Sequence, residues 1–158
     1  MVEIVLETRI RAPIERVFDL SRSIDAHLDS TSATGERAIA GTTTGLIGLG
    51  ETVTWSAVHF CIRQKLTVEI VEFERPHLFA DRMTKGAFKS MYHRHTFEVS
   101  GDETIMRDHF AFEAPLGILG IIAEKLVLGW YMRRFLEMRN ARLKALAEGD
   151  EWSRFLTE

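Results

Sequence analysis

The 158-residue chain contains one cysteine, Cys61. A lone thiol excludes an internal disulfide and any zinc or iron–sulfur site built on several cysteines. Long hydrophobic runs are also missing. The longest uncharged apolar stretch near the C-terminus, residues 114–123, is well short of the ~20 residues a membrane span needs. Positive charge is not in excess, with 20 Lys and Arg against 23 Asp and Glu and a formal net charge of −3. That balance gives no electrostatic reason to expect a nucleic-acid partner. The opening MVEIVLETRI carries acids early and lacks the basic start and cleavage pattern of a signal peptide. There is no internal repeat and no linker that would divide the chain. The expectation is a cytoplasmic domain over residues 1–149 and an acidic tail over 150–158, without a membrane span.

What is present is ordinary for a globular protein: 46% hydrophobic and 27% charged residues. Val2, Ile4, Leu6 and Ile10 alternate with Glu3, Glu7, Arg9 and Arg11, the period of a half-buried strand. Pro13 suits a helix start, and Ile14, Val17 and Phe18 fall at i, i+3, i+4 behind it. Ser23 can cap a second short helix carrying Ile24 and Leu28. Residues 36–113 read as six strands, with a glycine-rich flexible connection at 41–50 and a hairpin turn at 100–103. A long helix follows, from about Gly117 to Glu148, with Gly129 inside it and Gly149 ready to close it. Short links between strands predict an antiparallel meander. The fold class is therefore α+β, a curved sheet of about seven strands gripping a long C-terminal helix, with two short helices after the first strand.

Chemistry concentrates at His93, His95 and Asp108. The period of two puts His93 and His95 on the face of Met91 and Phe97, and gives Asp108 the parity of Met106, Phe110 and Phe112. Three readings stand: a mutually satisfied pair in a wet cavity, an anchor for a ligand, or an acid–base pair. Two histidines and a carboxylate are also an acceptable ligand set for zinc or iron. No other spacing supports that reading, so neither a metal nor a cofactor is expected. Asp81 shares parity with Phe79 and Met83, and would need a cross-strand histidine or arginine if it faces inward. The glycine-rich loop has no Gly-Lys-Ser/Thr ending, so it reads as a mobile connection at a cavity mouth and not as a phosphate loop. Arg133, Arg134, Arg139, Arg142 and Lys144 read as a solvated basic face.

Several runs carry a family resemblance: GETVTWSAVHF at 50–60, FADRM at 79–83, GAF at 86–88, HRHTF at 93–97, MRD at 106–108 and APLG at 114–117. Together they resemble the bacterial cyclase/dehydrase-like, or cell-division-inhibitor-like, ligand-binding branch of the START-related SRPBCC superfamily. The likeness spans residues 2–147. It implies the helix-grip fold and a deep apolar cavity, in a superfamily that includes lipid carriers, quinone-binding proteins and polyketide cyclases. Function follows from the site and not from the fold.

The leading expectation is binding, transport or sequestration of an apolar or amphipathic small molecule: a lipid, isoprenoid, quinone or aromatic polyketide. Its expected lining is Val53, Trp55, Phe79, Met91, Phe97, Phe110, Phe112, Leu126 and Trp130, with Asp81, His93, His95 and Asp108 as polar contacts. Trp130 is expected to face the sheet and narrow the cavity. The alternative is a cyclase, dehydratase or hydrolase using a His–Asp pair in the same space. A third reading, a protein-interaction module, rests on exposed Trp152, Phe155 and Leu156 in the tail. A monomer or weak homodimer is expected.

Overall fold

The opening alternation forms strand β1 (Val2–Ile10), with Ile4 and Ile10 buried and Glu3, Glu7 and Arg9 in solvent. Pro13 precedes α1 (Ile14–Ser21), which buries Val17, Phe18 and Leu20. Ser23 caps α2 (Ile24–Ser30) as expected, its side chain accepting the Ala26 N–H at 3.2 Å. Six strands follow: β2 (Arg37–Gly41), β3 (Thr52–His59), β4 (Ile62–Glu74), β5 (Leu78–Lys85), β6 (Ser90–Ser100) and β7 (Glu103–Glu113). The last long element is α3 (Gly129–Glu148). The structure, a computed structural model, describes residues 1–115 and 127–157.

All seven strands form one antiparallel sheet in the order β1-β7-β6-β5-β4-β3-β2. Short connections leave each new strand no partner but its predecessor, so β2 to β7 meander, and β1 closes against β7. Register shifts at Ala38/Ala40, Thr67/Val68 and Ile70/Glu72 insert bulges, which bend the strands that carry them. The sheet is curved for that reason, and its concave face receives the helices. Phe18 of α1 plugs one end, its ring edge-on to Phe73, Phe79 and Phe97 at 5.2–5.5 Å. The fold class read from the sequence, an α+β helix grip, is the architecture observed.

The C-terminal half of α3 docks on β1, α1 and α2. Leu136, Leu143, Leu146 and Ala147 are buried. Polar ties reinforce that seat: Lys144 Nζ donates to the Arg9 carbonyl at 2.8 Å, and Arg142 Nε to Asp29 at 2.8 Å.

Four expectations need correction. Trp130 does not face the sheet but is 66% exposed. At 100° per residue it stands about 120° from Leu136 and on the side opposite Arg139, so the face that docks carries it outward. Arg139 is not part of a solvated basic face. It lies in the Leu136–Leu143 stripe and is buried. The 42–51 loop is no loose connection: Gly45 N–H donates to Asp25 at 2.8 Å, Gly48 N–H to Glu51 at 2.6 Å, and Ile47 is buried. Trp152, Phe155 and Leu156 are half-buried against the core, with the Arg16 guanidinium 4.1 Å over the Trp152 ring. The early part of the long helix, Leu126 included, lies outside the described residues.

The contrast on α3 is measurable. Trp130→Ala should cost below about 1 kcal/mol, as exposed positions do. Leu136→Ala should cost about 2–5 kcal/mol through lost burial and an internal void. Urea denaturation of the two variants checks the helix phase, and equal losses would contradict it.

Candidate ligand cavity and its polar floor

The curved sheet and α3 do not meet everywhere. Between them lies a cavity of about 790 Å³, open mouth included, beside a second space of about 680 Å³ that shares Trp55, Leu66, Phe88, Met132 and Phe135 with its lining. Most of the lining is apolar. Val53 and Trp55 come from β3, Leu66, Val68 and Ile70 from β4, and Met132, Phe135 and Leu136 from α3. At the outer end, the Phe60 ring tilts against Tyr131 at 4.6 Å, and the Tyr131 hydroxyl is 2.7 Å from His59 Nδ1. Phe60 and Cys61 form the two-residue turn between β3 and β4 with φ of 52° and 62°, the twist that a tight hairpin requires.

A buried polar cluster sits at the inner end, and strand register explains its makeup. The turn after Ser100 sets His95 opposite Asp108 and His93 opposite Phe110. Pairing of β5 with β6 sets Asp81 opposite His93. Asp108 is fully enclosed. Its Oδ1 accepts from His93 Nε2 at 2.9 Å, and its Oδ2 accepts from Asn140 Nδ2 at 2.6 Å. His95 Nδ1 lies 2.8 Å from Oδ1, yet it is off the hydrogen-bond direction and has no other partner. The Arg139 guanidinium stands 3.6 Å from the same oxygen, and Asp81 Oδ1 is 3.6 Å from His95 Nε2.

Charge in this cluster follows from burial and neighbours. Burial would raise the Asp108 pKa, but contacts with His93 and His95 outweigh it and hold the carboxyl well below its usual range. Asp81 is likewise kept ionised by His95, His93 and Arg139 against the cost of burial. Burial, aided by the charge on His95, takes His93 down to about 4, so it is neutral at pH 7. For His95, burial is overcome by Asp108 and Asp81, and its pKa rises. The site thus pairs a neutral imidazole with a readily charged one, their ring centroids 3.9 Å apart.

Of the residues singled out in the sequence, Val53, Trp55, Phe79, Met91 and Phe110 line the cavity, as do Asp81, His93 and His95. Asp108 stands behind the histidines and does not reach the cavity surface. Phe97 and Phe112 are buried in the core around it, Trp130 points to solvent, and Leu126 lies outside the described residues. The histidine that Asp81 needed across the strands is His95.

Sequence reasoning missed Arg139 and Asn140. The signal was there: Met132, Leu136, Arg139, Leu143 and Leu146 are spaced four, three, four, three, which is one helix face. It also missed a second polar element on the cavity wall. His27 stacks on Trp55 at 4.3 Å while its Nε2 meets Glu36 at 3.0 Å. Glu36 stays ionised there because attraction to His27 outweighs burial.

Comparison with known proteins agrees with this geometry. Residues 1–148 match the family described as polyketide cyclase / dehydrase and lipid transport, and the chain belongs to that family, within the SRPBCC superfamily. A search of curated proteins finds no match. Among solved structures, a protein of Thermus thermophilus is similar at 19% identity and a TM-score of 0.71, over 92% of this chain and 99% of that one. A START superfamily protein of Mycobacterium smegmatis has 11% identity and a TM-score of 0.68, over 91% and 98%. The major latex-like protein 151 of Panax ginseng has 14% identity and a TM-score of 0.68, over 94% and 98%. At such identities the likeness is one of fold.

The buried histidine sets a pH dependence. A group whose pKa is lower folded than unfolded loses stabilisation as pH falls from the unfolded value to the folded one. For His93 that window runs from 6.5 down to about 4, and it is worth at most about 3 kcal/mol. His95 has the opposite sign, its stabilisation being lost as pH rises through its raised value. Unfolding free energies should therefore fall between pH 6.5 and about 4. In His93→Gln that slope should shrink, leaving the smaller loss of the same sign from His59, whose pKa burial also lowers.

Proposed function

We propose that the chain binds an apolar or amphipathic small molecule in this cavity, its polar end on the inner cluster and its apolar body toward Phe60 and Tyr131. Lipids, isoprenoids, quinones and aromatic polyketides have this shape. One observation carries the reading: a mostly apolar space has a buried cluster of ionisable side chains, Asp81, His93, His95 and Arg139, at its inner end. A site of that kind orients a ligand by a few hydrogen bonds and gains affinity from buried apolar area. Asp81, His95 and His93 are placed to accept or donate to a hydroxyl, carbonyl or carboxylate. The exposed thiol of Cys61 suits a reducing compartment, which favours the cytoplasm.

A second reading is favoured by the His93–Asp108 contact. An enclosed carboxylate fixes the imidazole so that its other nitrogen is available to a bound molecule, the arrangement of an acid–base pair. A cyclase or dehydratase step on the same ligand would use it.

Blocking the cavity separates binding from folding. Met132 lines both spaces and is half-buried on α3, so Met132→Trp should fill part of each while leaving the docked C-terminal half intact. Fluorescence titration with an apolar dye should show affinity falling about tenfold or more, the loss of ~1.4 kcal/mol. Circular dichroism should be unchanged. Unaltered dye affinity in a folded Met132→Trp would place binding outside the cavity.

A further inference from the structure

Asp81, His93 and His95 form more than a hydrogen-bonding floor. Each offers a ligand atom, and the three atoms lie within 4.8 Å of one another. Two histidines at i, i+2 on β6 share a face, and the β5 register adds a carboxylate directly opposite His93. The geometry points to a binding site for one divalent transition-metal ion of the zinc class, held by Asp81, His93 and His95 and open toward the cavity.

Three observations support it beyond the proximity of the groups. First, the surroundings are those that ligating histidines require. A metal-bound imidazole hands its other N–H to a carboxylate, which fixes the tautomer and raises its basicity. Here one enclosed carboxylate, Asp108, faces both rings, at 2.9 Å from His93 Nε2 and 2.8 Å from His95 Nδ1. That leaves His93 Nδ1 and His95 Nε2 to carry the lone pairs. Asn140 and Arg139 in turn hold Asp108.

Second, the spacing of the inner contact suits an ion. Asp81 Oδ1 and His95 Nε2 stand 3.6 Å apart, too far for a hydrogen bond. Zinc bonds of about 2.0–2.2 Å place tetrahedral ligands roughly 3.4 Å apart, which fits that gap. His95, only 2% exposed, also has a ring nitrogen off the direction of its one neighbour. A small ring rotation onto an ion would realign it.

Third, the donor set suits such an ion. Arg139 faces Asp108, which leaves the carboxylate of Asp81 at the cavity wall as the anionic ligand. Two imidazoles and one carboxylate suit zinc and neighbouring first-row metals, and three protein ligands leave a position for water or a ligand group.

The test uses the full-length chain without an affinity tag, stripped with chelator and titrated with zinc alone in a calorimeter at about pH 7.5, with the protons released on binding counted from runs in two buffers. One equivalent should bind, and cobalt in its place should give visible absorption bands of a low-symmetry nitrogen–oxygen site. Asp81→Asn and His95→Gln should each weaken zinc binding at least about 100-fold, and Asp108→Asn by about 10–100-fold through the outer contacts. His109→Gln, at a half-exposed histidine on the opposite face of β7, should bind as the parent does. Should His95→Gln fail to fold, Asp81→Asn at the cavity wall carries the comparison, with its fold checked by circular dichroism. No saturable binding at one equivalent, undiminished binding in Asp81→Asn, or loss of binding in His109→Gln overturns the site. Apolar dye affinity is measured on the same samples with chelator present, so a failure of metal binding is told apart from a failure of ligand binding.

Discussion

The carboxylate of Asp108 has no exposed surface, and neutralising it where it stands organises much of the molecule. An ion in a protein interior costs several kcal/mol unless its oxygens are bonded and its charge is met. The partners come from different places in the chain: His93 and His95 from the neighbouring strand, Asn140 and Arg139 from α3. Each is fixed by the same oxygen pair. The β6–β7 register and the rotation of α3 are therefore not independent, since a slip in either leaves a charge buried without its partner. The apolar stripe of Leu136, Leu143 and Leu146 and the polar contacts of Arg139 and Asn140 fix the same rotation of α3.

That anchorage divides α3 in two. From Leu136 onward the helix is committed, with Leu143, Leu146 and Ala147 packed and Arg142 and Lys144 tied to α2 and β1. Before Leu136, Met132 and Phe135 face open space and line the cavity. The helix can stand off the sheet at that end because its other end is held. Sheet curvature does the rest, since bulges in β2 and β4 carry the far strands around the helix and leave no room for close packing across the middle.

The same arrangement explains how one family can include ligand carriers and cyclases. The apolar walls come from alternate residues of a sheet and accept many shapes, whereas the inner cluster is small and chemically specific. In this chain a neutral His93 beside a readily charged His95 supplies both a donor and an acceptor at the end of an apolar space.

The amino-acid order determined the architecture because its signals are local. Period-two alternation, the Ser23 cap, the turn at residues 100–103 and short links suffice for a meander and a covering helix. The inward parity of His93, His95, Asp81 and Asp108 was legible for the same reason, since a strand's two faces follow from counting. Only tertiary structure decided which nitrogen meets which oxygen, because cross-strand register depends on turn geometry and bulges that no period reveals. It also decided the phase of α3. Trp130 looked like a core residue and Arg139 like a surface one, since hydrophobicity was weighed residue by residue. The docked face is instead set by Leu136, Leu143 and Leu146, and by a buried carboxylate on a distant strand that needed a cation. Composition cannot announce such a need, which arises only once the chain has closed around Asp108.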